Sequence, residues 1–244
     1  MRHWLALVVS ATLGAPASPA SAQPAPKLPK SVALPDIPTA LKNVEAAYGA
    51  PEHEMWFTQT YFVKAYNQAA TSQGRLTFAA PDKLSFRYTS GDYVVVNGPG
   101  TGTYEASVGQ YYLQPTKATA YPAVLVLLSA GALAAQCNLT IYPGWQLQFP
   151  NGYVLLCDPK APSPAFTKVL YYVDAASSEV RRVLFLDAQG NRNRFDLDQV
   201  QPHPAISWQL FSLSPPPGAV VNGLPAGAGA GGAVPAPRAR ALRP

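Results

Sequence analysis

Hydrophobic and polar residues alternate most regularly between Gly74 and Val96, GRLTFAAPDKLSFRYTSGDYVVV. Alternation with a period of two places one set of side chains in an apolar interior and the other in water, as in a half-buried β-strand. The pattern predicts two strands that meet at a Pro81-Asp82 turn, followed by a third strand that begins after residue 92. The side chains predicted to face the interior are Leu76, Phe78, Leu84, Phe86 and Tyr88.

Other runs rich in aromatic and β-branched residues predict about ten short strands in all. The first is expected from Met55 to Tyr66, with the polar stretch 67–74 as a break, and a helix that Thr39 can cap is expected before it. Later strands are predicted at 103–104, 111–113, 153–156, 169–173, 180–186, 193–197 and 207–212. These elements favour an α+β fold: a single curved antiparallel β-sheet with helices covering its concave apolar face.

The segment Pro122–Leu133, PAVLVLLSAGAL, is almost wholly apolar and carries no charge. Proline at its start suits the first turn of a helix. A helix that is apolar all round has to be covered on every side, or has to cover something itself. It is either a buried core helix or a lid over an apolar ligand, and Leu125 and Leu128 are its candidate contacts.

Both ends of the chain are predicted to lie outside the folded domain. A basic start, an apolar run at 4–13 and the sequence Ala20-Ser21-Ala22 are typical of a cleaved signal peptide over residues 1–22, which predicts a periplasmic or secreted protein. Residues 23–38 form a Pro-rich linker, residues 39–221 the domain, and residues 222–244 a disordered tail rich in Gly, Ala, Pro and Arg.

The formal charge of +5 overstates the charge of the domain. Arg2 leaves with the signal peptide, and three arginines lie in the tail, so the folded part retains a formal charge of +1. A nucleic-acid-binding protein needs a concentrated basic face, so this distribution argues against that class of function. No later apolar run is long enough to predict a membrane span in the mature chain.

Cys137 and Cys157 are the two cysteines of the chain, and they flank a hairpin-like stretch with turn signals at 143–144 and 150–152. In an exported protein such a pair predicts a disulfide, with two free buried thiols as the alternative. Closing a loop of about twenty residues stabilises the fold by roughly 3 kcal/mol in the chain-entropy model.

Candidate catalytic chemistry is sparse. His53 and His203 have no second ligand at metal spacing, which predicts surface residues and no metal site. Asp196 and Asp198 share one strand face without an evident basic partner, and no nucleophile elbow or phosphate-binding loop is present. A non-catalytic protein without a cofactor is therefore predicted, and an enzyme with a site outside known motifs is the remaining alternative.

Several ordered motifs resemble the LolA family, the periplasmic carriers of outer-membrane lipoproteins. Phe57-Thr58-Gln59 is similar to the family's F-x-Q strand, and the stretch 81–88, PDKLSFRY, to its Arg-Pro-x-x-F-x-W-x-Y type segment. The 122–127 segment resembles the lid of its cavity. A strand ending in Pro159-Lys160 and the closing FSLSPPPGAV at 211–220 complete the likeness, which spans roughly residues 39 to 221.

The resemblance implies an incomplete half-barrel that holds lipoprotein acyl chains. It also implies an inner-membrane lipoprotein-releasing transporter and an outer-membrane receptor as partners; a lipid- or lipoprotein-sensing regulatory domain on the same fold is the alternative. One departure concerns the lid: the arginine that often precedes the proline and tethers the lid is Ala80 here, and Arg87 lies on the opposite strand face. The residues expected to bind lipid are Leu76, Phe78, Leu84, Phe86, Tyr88, Leu125, Leu128, Phe195 and Phe211.

Overall fold

The computed structural model describes residues 33–48, 52–119, 130–163, 165–202 and 205–223. These residues form one large curved sheet of twelve strands, together with helices α1 (Ile37–Ala47) and α2 (Ala130–Gln136). The strands are β1 (Glu52–Val63), β2 (Gln68–Ala79), β3 (Lys83–Tyr88), β4 (Tyr93–Asn97), β5 (Gly100–Glu105), β6 (Gln110–Pro115), β7 (Cys137–Pro143), β8 (Gly152–Pro159), β9 (Lys168–Asp174), β10 (Val180–Leu186), β11 (Arg192–Pro202) and β12 (Val220–Gly223).

The order of the strands is β12-β6-β5-β4-β3-β2-β1-β11-β10-β9-β8-β7, and the sheet is unclosed. Every neighbouring pair is antiparallel except β12 and β6, which are parallel. β1 lies near the centre of this order, where it pairs with β2 on one side and with β11 on the other. The predicted fold class is confirmed.

The strongly patterned segment folds as predicted. β2, β3 and β4 are consecutive antiparallel neighbours, with Leu76 opposite Phe86 and Phe86 opposite Val94. Glycine is required at Gly74, because a Cβ atom there would lie 2.2 Å from the carbonyl oxygen of Arg87 on β3. A glycine therefore allows the close approach of the two strands.

Two predictions around the first hairpin are wrong. Residues 64–66 form a 3₁₀ turn instead of continuing the strand, and the polar stretch 68–73 belongs to β2 instead of breaking the sheet. This part of β2 pairs with β1 as far as Val63 opposite Gln68. Its side chains are mostly exposed, so strand pairing continues where no apolar alternation signals it.

Two predictions near the C-terminal end of the domain are also wrong. Trp208–Phe211 is a 3₁₀ turn and not part of a strand. Asn222 and Gly223, assigned to the disordered tail, belong to β12. The Val220–Gly223 segment aligns with Gln110–Leu113 of β6 and takes up the free edge of that strand.

Helix α1 is capped by Asp36 and not by Thr39: the carboxylate of Asp36 accepts a hydrogen bond of 2.8 Å from the amide of Thr39. This arrangement satisfies one of the free amides of the first turn and holds the pKa of Asp36 below its ordinary value. Residues 130–136 form helix α2, whereas residues 122–129 of the predicted apolar segment lie outside the described residues. The predicted signal peptide also lies outside them.

Candidate functional site

One face of the sheet carries a continuous apolar cluster. It includes Leu76 and Phe78 from β2, and Phe86 from β3, and it extends across β11, β10, β9 and β8. Helix α1 lies against it through three buried side chains, Ala40, Leu41 and Val44, and helix α2 through Leu133. The helices therefore cover the inner apolar face, as the sequence predicted.

Aromatic rings connect the middle of this face. Phe57 contacts Phe86 edge-on, with ring centroids 5.4 Å apart, and Phe86 lies 5.5 Å from Phe195. The series continues from Phe195 to Phe185 at 6.2 Å and from Phe185 to Phe166 at 6.0 Å. These contacts form an unbroken aromatic path from the centre of the sheet to the loop after β8.

A chain of hydrogen bonds lies among these rings. The Tyr88 hydroxyl donates to Oε1 of Gln59 at 2.8 Å, and Nε2 of Gln59 donates to Oδ1 of Asn193 at 2.9 Å. All three side chains are buried, so each bond replaces water that these groups would otherwise need. This chain of hydrogen bonds satisfies three of the polar side chains on the inner face, whereas the Tyr153 hydroxyl and Nδ1 of His53 are buried there without a hydrogen-bond partner among the described residues.

The aromatic path ends at a cleft of about 400 Å³. Phe166 and Tyr171 line it, together with Ala135 of α2 and the Cys137–Cys157 disulfide. The predicted disulfide is thus confirmed, and it fastens the edge strand β7 to β8 beside the cleft. Lys160 holds the adjoining loop against α2 by donating to the carbonyl of Ala134 at 2.8 Å.

The structure brings six of the nine predicted lipid-binding residues together. These six are buried in the inner cluster: Leu76, Phe78, Leu84, Phe86, Tyr88 and Phe195. Leu125 and Leu128 lie outside the described residues. Phe211 is not with the six, because it packs in a separate cluster with Ala79, Val95 and Ile206.

This second cluster lies on the other face of the sheet. Neighbouring residues of one strand point to opposite faces, and Val95 is flanked by two valines of the inner cluster, Val94 and Val96. The segment 205–213 therefore covers part of the outer face. Ser85 was expected to face water but is buried there.

Arg87 lies on the outer face, as its position in the strand predicts. Its Nη2 donates to the carbonyl of Leu210 at 3.1 Å, and its guanidinium lies 4.2 Å from the ring centroid of Tyr93. Burial lowers the pKa of Arg87 from its ordinary value. This arginine fastens the covering segment 205–213 to the sheet.

His53 was predicted at the surface and is instead 2% exposed. Its ring stacks on Phe78 at a centroid distance of 4.9 Å, and Tyr48 contacts it edge-on at 5.4 Å. Burial lowers the pKa of His53, and the charge of Glu179 opposes that shift. Alternation within Glu52–Val63 was the signal for this burial, because His53 has the same parity as Met55 and Phe57.

Tyr48 lies at the C-terminal end of α1, next to His53. Its hydroxyl accepts a hydrogen bond of 3.1 Å from the amide of Val180, and burial raises the pKa of Tyr48 to about 12. Asp196 on β11 also departs from prediction, because it pairs with Arg182 and Arg194 on the outer face. At these positions the histidine packs against aromatic rings and the carboxylate forms ion pairs.

The cleft residues Phe166 and Ala135 were not predicted. They come together only through the fold, and the preference of Phe166 for an apolar environment was the one signal in the sequence. Across the described ranges no group of three histidine, cysteine or carboxylate side chains is placed to hold a metal ion. In the same ranges, no helix has the length and apolar character needed to cross a membrane.

The unclosed half-barrel and its apolar inner face agree with the family comparison. A family model described as "Outer membrane lipoprotein carrier protein LolA" matches residues 52–214. The chain belongs to this family. No curated protein matches it closely enough to be counted as a relative.

Several solved structures are similar to the chain at low identity. An uncharacterized conserved protein from Thermus thermophilus is 14% identical, with 78% of this chain and 100% of that chain covered and a TM-score of 0.48. A LolA superfamily protein from Nitrosomonas europaea is 10% identical, with 73% of this chain and 98% of that chain covered and a TM-score of 0.42. A chain of the Pseudomonas aeruginosa MucA/MucB complex is 13% identical, with 73% of this chain and 61% of that chain covered and a TM-score of 0.38.

Proposed function

We propose that this protein is a non-catalytic periplasmic carrier that binds the acyl chains of lipoproteins and conveys them from the inner to the outer membrane. The observation that carries the proposal is the cleft of about 400 Å³ whose wall, at Phe166, continues into the aromatic path of the inner face. Membership of the LolA family supports the same function. The six clustered residues, including Phe86 and Phe195, do not line the cleft itself; they are buried in the inner cluster to which the aromatic path connects it.

The size and chemistry of the cleft suit part of a lipid chain. Binding sites for small apolar ligands commonly enclose roughly 300–1,000 Å³ and are lined mainly by apolar side chains with a few polar groups. Here the apolar lining is accompanied by the polar side chains of Lys117, Thr119, Gln136, Lys160 and Ser163. Each methylene group that leaves water for such a surface contributes about 0.8 kcal/mol.

A carrier also has to release its cargo. A ligand that is bound through hydrophobic burial can move to a partner that offers a comparable apolar surface, because the interaction is not directional. The partners implied by the family are an inner-membrane transporter and an outer-membrane receptor. The predicted signal peptide would bring the chain to the compartment in which both are reached.

Blocking the cleft tests the proposal. Ala135→Trp places an indole in the cleft from an exposed position of α2, whereas Ala134→Trp makes the same change at an exposed neighbour that does not line the cleft. Each protein is purified from the periplasm of its own cell and analysed by native mass spectrometry for bound lipoprotein or lipid. We expect cargo to be bound to the unmodified protein and to Ala134→Trp, and at least fivefold less cargo to be bound to Ala135→Trp. A fivefold decrease corresponds to the loss of ~1 kcal/mol of hydrophobic burial.

Two results would contradict the proposal: no co-purifying lipoprotein or lipid on the unmodified protein, or equal cargo on both tryptophan variants. Transfer is measured separately, by incubating the loaded protein with outer-membrane vesicles and following the lipoprotein. Cargo that binds but is never released to the vesicles would exclude the carrier function and leave a lipid-binding protein.

A further inference from the structure

The outer face of the sheet holds a second groove, which lies away from the inner cluster. Its volume is about 340 Å³, and it is lined by three arginines, Arg182, Arg192 and Arg194. None of the other described residues that line it is acidic. Arg192 and Arg194 have opposite parity to Phe195 on β11, so they point away from the proposed cargo region.

Aromatic rings and one carboxylate hold these arginines in place. The guanidinium of Arg192 lies 4.4 Å from the ring centroid of Phe62, and that of Arg182 lies 5.1 Å from the centroid of Tyr172. Asp196, beside the groove, pairs with both Arg182 and Arg194. Three positive charges that face one carboxylate leave a net positive groove whose side chains are already ordered.

This chemistry fits a phosphate group. The planar guanidinium group has a fork of donors that matches phosphate oxygens, and prior ordering reduces the entropy lost on binding. The groove also has apolar walls, supplied by Leu147 and Leu184. A ligand that combines a phosphate with a small apolar region would therefore contact both kinds of surface.

Exposed aromatic side chains lie close to the groove along the chain. Trp145 is 51% exposed and belongs to the same 3₁₀ turn as Leu147. Tyr66 is 74% exposed and lies in the turn that follows β1, the strand that contains Phe62. Tryptophan and tyrosine favour the boundary between lipid headgroups and water.

We infer that this groove is a binding site for the phosphate-bearing headgroups of anionic phospholipids and holds the protein at a membrane surface. It is separate from the cargo cleft and does not depend on what that cleft binds. Charge complementarity favours an anionic membrane. Exposed Trp145 and Tyr66, each a few residues along the chain from a residue that lines the groove, favour a lipid surface over a soluble phosphate compound.

The test is flotation of the periplasm-purified protein with vesicles of phosphatidylcholine, with or without phosphatidylglycerol, at low salt. We expect binding only to the vesicles that contain phosphatidylglycerol, weakened when salt is raised. An arginine close to an anionic surface strengthens binding about fivefold, so Arg192→Gln and Arg194→Gln should each weaken it by about that factor. The arginines of the C-terminal tail are identical in all variants.

Arg75→Gln is the matched control. Arg75 also lies beside an aromatic ring on the outer face, 4.8 Å from the centroid of Trp56, but it does not line the groove. It pairs with one carboxylate, that of Glu54 at 2.7 Å, so it is matched most closely to Arg194. Arg75→Gln should weaken vesicle binding less than twofold. Arg192→Gln is the primary variant, because Arg192 contacts the ring of Phe62 and is not one of the two arginines that pair with Asp196. The substitution therefore leaves both ion pairs of Asp196 in place.

Three results would overturn the inference. Equal binding to neutral and anionic vesicles would exclude headgroup recognition. An equal loss in Arg75→Gln and Arg192→Gln would show diffuse attraction instead of a groove. Binding of glycerol phosphate to the groove, followed by NMR and without any vesicle binding, would assign the site to a soluble phosphate. Cargo measured by native mass spectrometry should be unchanged in Arg192→Gln, so this proposal and the carrier function fail independently.

Discussion

The two faces of the sheet use the same strands for different chemistry. On β11, Phe195 contributes to the inner aromatic path, while its neighbours Arg194 and Asp196 form an ion pair on the outer face. Buried aromatic groups on the inner face stabilise the fold because they are removed from water, whereas partly hydrated ion pairs on the outer face contribute little to the free energy of unfolding. The stability of the fold should therefore depend mainly on the inner face, and the outer face is free to carry binding groups.

The largest expected difference between the faces comes from matched phenylalanine deletions. Phe86→Ala removes a side chain that is 1% exposed at the centre of the inner face and should lower the free energy of unfolding by about 3–5 kcal/mol. Phe62→Ala removes a half-buried ring from the outer face and should cost about 1 kcal/mol. Urea unfolding followed by tryptophan fluorescence measures both values. Equal losses would contradict the assignment of the main core to the inner face.

The inner face was predictable because its pattern is local. Leu76, Phe78, Leu84 and Phe86 alternate with other residues within two short strands, and period-two alternation directly reports a half-buried strand. The family motifs then supplied the half-barrel, which periodicity alone does not define. For these elements, short-range sequence information was sufficient.

The parts that could not be predicted depend on distant segments. Ser85 is buried because the segment 205–213 returns to cover the outer face more than a hundred residues later in the chain. The cleft needs Ala135, Phe166 and the disulfide to meet, and no local pattern encodes their meeting. Phe211 was assigned to the inner face for the same reason: its apolar character is visible in the sequence, but the face that it covers is not.

A smaller difference is expected between a buried tyrosine hydroxyl of the inner face and an exposed one in the turn after β1. Tyr88→Phe removes the donor to Gln59 and leaves that buried acceptor without this bond, which should cost about 1–3 kcal/mol in the free energy of unfolding. Tyr66→Phe makes the same change at a residue that is 74% exposed, where water replaces the bond, and should change stability by less than about 0.5 kcal/mol. Urea titrations at neutral pH compare the two variants. A similar effect of both would show that the polar chain around Gln59 does not stabilise the inner face.

The smallest effect should be a pH dependence that originates at His53. Because burial lowers the pKa of His53, the unfolded chain binds a proton there more readily than the folded protein does. Stability should then be full above the ordinary histidine pKa of about 6.5, and should decrease as the pH falls from there towards the lowered value. Carboxylates titrate mainly below about pH 5, so the melting temperature between about pH 7.5 and pH 5.5 reports chiefly on histidine.

The variant His53→Phe separates this effect from any other titration. A phenylalanine ring can keep the stack on Phe78 and the edge contact with Tyr48 but cannot take up a proton. Its melting temperature should therefore fall less than that of the unmodified protein over the same pH range. An equal fall in both proteins would place the titrating group elsewhere and would show that the burial of His53 has no linkage to folding. A smaller fall in the variant would mean that the inner face, unlike the outer face, excludes charge even at its margin beside α1.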